Sequence, residues 1–234
     1  ILISKGYKIY QVYSRKINDA KKLADTLKAY ATDSLSELSN KADIYIIAVS
    51  DKSIQTVCNQ INFGNKIVLH TAGSVSIQVL KNTSENYGVL YPVQSLRKEM
   101  DVFTPIPFLI DGNNTDTRLA IDIFSKSISK KVEFGDDDKR LKIHTAAVFA
   151  CNFVNFMYLQ SANFCNENKI DFSLLQSLIE ETATRLRTHH PKDVFTGPAV
   201  RKDFETIEKH LLQLKSNSQA QELYKLISDM IMHY

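Results

Sequence analysis

Between residues 8 and 134, short apolar runs rich in β-branched side chains alternate with stretches whose apolar residues recur every three or four positions. The runs at 8–13, 43–49, 66–69, 87–91, 106–110 and 131–134 predict strands. The run at 43–49 is almost unbroken, the pattern of a strand buried on both faces. The helical spacing of Ala20, Leu23, Ala24 and Leu27 predicts a helix over 18–30 with Asn18 as its cap. Further helical segments are predicted over 33–38, 53–61 and 116–129, the second capped by Ser50 or Asp51. After Gly135 only helical periodicity remains, over 138–168, 173–188, 202–215 and 219–233. The chain therefore divides into 1–135 and 136–234. Strands alternating with helices imply an α/β fold with a doubly wound parallel sheet, here followed by an all-α C-terminal domain.

Composition narrows the class. With 44% hydrophobic and 24% charged residues, the 234-residue chain has a globular composition. Its net charge is +3 with the two signs interleaved, so no basic patch points to nucleic acid. Three cysteines without regular spacing give neither a disulfide framework nor a zinc site, and suit a reducing cytoplasm. The most apolar stretch, 146–159, is interrupted by Asn152 and Asn155. It reads as a buried helix and not a membrane span. Cys58, Cys151 and Cys165 read as small core residues.

Open parallel sheets bind ligands beyond the carboxyl ends of their strands. Three such ends carry small or polar residues. The first is Tyr13-Ser14-Arg15, with no acid before Asp19. A dinucleotide fold places the adenosine ribose at this position, where an Arg accommodates the 2′-phosphate of NADP. The second, Ala48-Val49-Ser50-Asp51, gives either a helix cap or small residues beside a ribose. The third is His70-Thr71-Ala72-Gly73-Ser74, in which Gly73 permits close backbone approach and His70 is either structural or a proton donor. Tyr91-Pro92-Val93-Gln94-Ser95 ends the next strand and brings Gln94 to the same cleft, or forms an X-Pro turn. At 100° per residue His144, Cys151 and Asn155 share a helical stripe with Asn152 on its flank. Thr196-Gly197-Pro198-Ala199 is either a helix terminator, with Asp203 capping the next helix, or a loop that closes the cleft.

These segments, with His144-Thr145-Ala146-Ala147-Val148-Phe149-Ala150-Cys151-Asn152-Phe153-Val154-Asn155 and Thr196-Gly197-Pro198-Ala199-Val200-Arg201, occur in an order that resembles a family of NADP oxidoreductases. Those proteins join a Rossmann-like domain to a C-terminal helical domain of unknown function. They are distant relatives of pyrroline-5-carboxylate reductase, 6-phosphogluconate dehydrogenase and the deazaflavin-dependent NADP reductases. The resemblance implies a helical domain of the 6-phosphogluconate dehydrogenase type and a homodimer formed through it. It implies that Ser14 and Arg15 hold the 2′-phosphate of NADP, and that Ser50, Asp51, Thr71, Ala72 and Gly73 surround the ribose and nicotinamide. His144, Asn152, Asn155, Thr196 and Gly197 would face the cofactor from the helical side. His144 would handle the proton, with Asn152 and Asn155 polarising a small-molecule substrate and His70 and Gln94 lining its cleft. Two rival expectations are a nucleotide-binding regulatory module without turnover and an imine reductase. The chain departs from the family in two places. Lys202 stands where many relatives have Gly, and the first strand with its glycine-rich phosphate loop is absent. Residues 1–6 read as the end of the helix that such a loop opens, with Gly6 as its stop. The expectation is a chain cut from a longer protein, which by itself binds NADP poorly or not at all.

Overall fold

A computed structural model describes residues 1–96 and 105–234. The chain forms two compact units, Ile1–Asn152 and Phe153–Tyr234. The first holds every strand among the described residues. β1 (Gln11–Tyr13) and β2 (Tyr30–Thr32) pair in parallel, joined by α1 (Ile17–Leu27). A second sheet runs in the order β3 (Ile44–Ile47), β4 (Ile67–His70), β5 (Asn86–Pro92), β6 (Phe108–Gly112), β7 (Val132–Phe134). α2 (Asp51–Cys58) connects β3 to β4, and α3 (Thr115–Ile128) connects β6 to β7.

Periodicity explains the layering. Ile121, Phe124 and Ile128 of α3 bury against Leu69, Leu90, Phe108 and Ile110 on one sheet face. Ile54 and Cys58 of α2 pack with Val68, Ala72 and Leu80 on the other. Each such side chain contributes roughly 1.5–3 kcal/mol on burial.

Four expectations need correction. β5 and β6 are antiparallel, with Leu90 opposite Ile110, so the sheet is parallel-dominated and not wholly parallel. No helix is expected between these two runs, and parallel neighbours need a crossover connection that is usually helical. β2 stands where no strand was expected, and it begins at Tyr30, the last residue of the expected first helix. That helix stops at Leu27 because Lys28 turns left-handed (φ 53°), with no glycine to announce it. Its N-cap is Lys16, and Asn18 lies inside the helix. β3 is not buried on both faces: Ile46 is 37% exposed, since β3 pairs with β4 alone among the described residues.

α4 (Asp137–Ala147) follows β7 and belongs to the first unit. The change of pattern at Gly135 thus marks the end of the sheet, whereas the two units divide at Asn152 and Phe153. A π-helical stretch, Val148–Phe153, leads out of α4.

The second unit comprises α5 (Val154–Glu167), α6 (Gln176–Arg185), α7 (Phe204–Gln213) and α8 (Ser218–Met232). Asp203 caps α7 as expected, its carboxylate accepting from the Thr206 amide at 3.1 Å. Asn217 caps α8 in the same way. The burial expected for 146–159 is not found: Phe156 and Leu159 of α5 are about half exposed. Cys58 and Cys165 are buried, but Cys151 is exposed. No helix among the described residues is long and apolar enough to cross a membrane.

Candidate functional site

The carboxyl end of β4 is the centre of the site. His70, its last residue, is completely buried. Its Nδ1 accepts the Ala72 amide at 3.2 Å, so the neutral ring carries its proton on Nε2. Burial, aided by the nearby Arg140 charge, lowers the ring to a pKa of about 4 against the opposing pull of Asp137 and Asp51. His70 is therefore neutral and turned inward. The expectation of a cleft residue or proton donor fails at this position, because the ring instead shapes the turn after β4.

Beyond it Thr71 is half-buried, while Ala72 and Gly73 are buried. Gly73 is held against α4: a Cβ built on it would lie 2.7 Å from His144 Nδ1. The same nitrogen is 3.1 Å from Tyr91 Oη, and the two rings meet edge to face. Burial raises the Tyr91 phenol, so it keeps its proton and can donate to Nδ1. One turn below, Ser74 Oγ donates to Asp51 Oδ2 at 2.6 Å and ties the end of β3 to that of β4. Asp51 opens α2 and Ser50 precedes it, but neither side chain caps the helix backbone. Ser50 Oγ meets Ser53 Oγ at 2.9 Å instead.

α4 carries three polar groups on the face turned to this loop. Asp137 Oδ1 accepts the Ile77 amide at 3.1 Å. Arg140, 1% exposed, donates through Nη2 to the Val75 carbonyl and to Asp137 Oδ1, both at 2.6 Å. Burial works to raise the Asp137 carboxyl, but hydrogen bonds from Ser76, Ile77 and Arg140 outweigh it and hold the group below the usual carboxylate range. Among the described residues, Arg140 Nε, Arg140 Nη1 and His70 Nε2 are buried without a hydrogen-bond partner.

The remaining expected residues are more dispersed. Ser14 and exposed Arg15 follow β1 directly, with the Ser14 amide bonded to the Thr32 carbonyl of β2. Gln94 is half-buried in the turn after β5. An apolar groove of about 350 Å³ is lined by Ile9, Leu27, Ile46, Thr71, Leu90 and Phe108, among others. It runs from the approach to β1 to the ends of β3, β4 and β5. Asn152 is exposed at the end of the first unit. The stripe joining His144, Cys151 and Asn155 does not hold, because the π-helical turns of 148–153 wind more slowly than 100° per residue. Asn155 and Thr196 are exposed within the helical unit, and Gly197 takes φ 102° in its turn. Arg140 and Asp137 were not singled out in the sequence, and Tyr91 was named only as the first residue of its strand-end segment. The steps of three and four from Asp137 to Arg140 to His144 would have placed those three on one helix face.

Comparisons with known proteins bear on the family and the fold. Residues 106–231 match the domain of unknown function DUF2520. Residues 1–73 match the family described as NADP oxidoreductase, coenzyme F420-dependent. A provisionally named NADP oxidoreductase from Bacteroides fragilis is 34% identical, covers 100% of this chain and 92% of its own, and superposes with a TM-score of 0.93. A protein from Thermotoga maritima, 23% identical over 97% of this chain and 90% of its own, shares the fold with a TM-score of 0.73. An imine reductase from Myxococcus stipitatus, solved with NADP+, shares it at 12% identity with a TM-score of 0.60, over 99% of this chain and 86% of its own. No protein of curated function matches the chain. With its full length aligned at 34% identity and its C-terminal half matched, the chain belongs to the family of NADP oxidoreductases that carries this C-terminal domain.

Proposed function

We propose that the chain is an NADP-dependent oxidoreductase that moves a hydride between the nicotinamide and a small molecule, with His144 handling the proton. The observation that carries this reading is the His144 ring, seated on Gly73 at the end of β4 and bonded to Tyr91. NADP supplies the hydride chemistry when bound; the protein supplies position and a proton. Ser14 and Arg15 would hold the 2′-phosphate, since no acid stands beside them to select the free ribose. Ser50, Asp51, Thr71, Ala72 and Gly73 would surround the ribose and nicotinamide. These residues would grip the two ends of the cofactor, the adenosine 2′-phosphate and the nicotinamide. With the Tyr91 phenol donating to Nδ1, the His144 ring carries a proton on Nε2, from which it would donate a hydrogen bond to a developing anion.

An NMR titration, which reads weak binding, tests the cofactor assignment. NADPH should bind more tightly than NADH, and Arg15→Ala should narrow the gap about tenfold, the worth of one charge-assisted hydrogen bond. Equal affinities for the two nucleotides would sink the role given to Arg15.

The same reading makes the protein a homodimer through its helical unit. That unit buries only Cys165, Ala199 and Ile207 among its described apolar side chains, while Leu174, Leu178, Leu212 and Met230 are more than 60% exposed. A second copy would cover these helices. Three free cysteines suit a reducing cytoplasm.

A further inference from the structure

The loop after β4 meets α4 at three successive points. Gly73 lies against His144, the Val75 carbonyl accepts from Arg140, and the Ile77 amide donates to Asp137. The loop residues alternate by two and the helix residues step by three and four. The two series run in opposite directions, contact for contact. Arg140 is the middle contact and the most costly. It is 1% exposed, and Nε and Nη1 have no partner among the described residues. A buried guanidinium left partly unbonded destabilises a fold, and an apolar side chain of similar size would fill the space at lower cost. Its one bonded nitrogen, Nη2, joins the helix to the loop, so the return on that cost is geometric.

We infer that Arg140 and Asp137 are positioning residues for His144: they fix α4 on the loop so that the imidazole sits on Gly73 within reach of Tyr91. Arg140 and His144 are four residues apart, on one face of α4, so a slip of the helix at Arg140 moves the ring directly. The inference deepens the proposed oxidoreductase site and rests on it for the chemical meaning of His144. The geometry can be tested without turnover.

The test uses the whole chain labelled with ¹⁵N-histidine, with the His144 ring signals assigned by their loss in His144→Gln. Long-range ¹H–¹⁵N spectra should show one fixed tautomer of His144 in the parent protein. Arg140→Met should average the two ring nitrogens of His144 while the melting temperature stays level or rises. Arg140→Lys, which can still reach the Val75 carbonyl, should restore the single tautomer. Gly73→Ala should disturb the same signals by pushing the ring away. A folded Arg140→Met protein with parental His144 signals would overturn the inference, most plainly if Gly73→Ala moves them. An Arg140→Met protein that fails to fold, beside a folded Arg140→Lys that keeps the parental signals and a lowered melting temperature, would make the arginine structural and also overturn it. A fixed His144 beside equal affinities for NADPH and NADH would count against the NADP assignment and leave the positioning role standing.

Discussion

His70 and His144 carry the same side chain to different ends, and the difference is made by what surrounds each ring. His70 ends a buried strand, is sealed from solvent and is held neutral, with a pKa of about 4. His144 stands half-buried on a helix, in contact with Tyr91. The consequence for stability is directional. The unfolded His70 titrates near 6.5, so between that value and 4 the unfolded chain binds the extra proton. Stability from this group is complete above about pH 6.5 and is lost as pH falls towards 4, by up to ~3 kcal/mol. Urea denaturation at a series of pH values checks this: the parent should lose stability over that window more steeply than His70→Asn. The motif His70-Thr71-Ala72-Gly73-Ser74 was visible in the sequence as one segment. Its division into an inward imidazole and an outward loop was not, because the backbone bond from Ala72 to Nδ1 decides it.

At the level of elements, helices were legible where a cap or a clear period marks them. Asp203 and Asn114 cap α7 and α3 through their side chains, and both helices fall within two residues of their expected spans. Asp203→Ala should destabilise the second unit by about 1 kcal/mol, read as faster amide exchange at the start of α7 with the first unit unchanged. Elements were misread where the deciding feature is nonlocal or unmarked. β2 is three residues long and exists because β1 offers it a ladder. The left-handed Lys28 that frees it has no sequence signature. The π-helical stretch at 148–153 likewise gives no signal in a pattern read at helical spacing, and it breaks the stripe that linked His144 to Asn155.

At the scale of the molecule, the helical unit tests the whole reading. Its exposed leucines predict a dimer. Sedimentation or light scattering should therefore give twice the chain mass, and Leu212→Glu, at a residue 69% exposed, should shift the protein towards monomer. A monomeric parent at high concentration would remove the dimer from the proposal. The alternation of strand and helix, the passage to an all-helical part after Gly135 and the polar strand ends can all be read along the chain. These follow from periodicity and composition, which act over a few residues. The antiparallel pairing of β5 and β6, the place of α4 with the sheet, and the meeting of Tyr91, Arg140 and Asp137 with His144 at the loop arise in the folded chain alone. In the last of these, Arg140 and Val75 meet across 65 positions of chain. Such contacts depend on which faces are buried together and on which donors find acceptors once water is excluded, and no local pattern of residues encodes either.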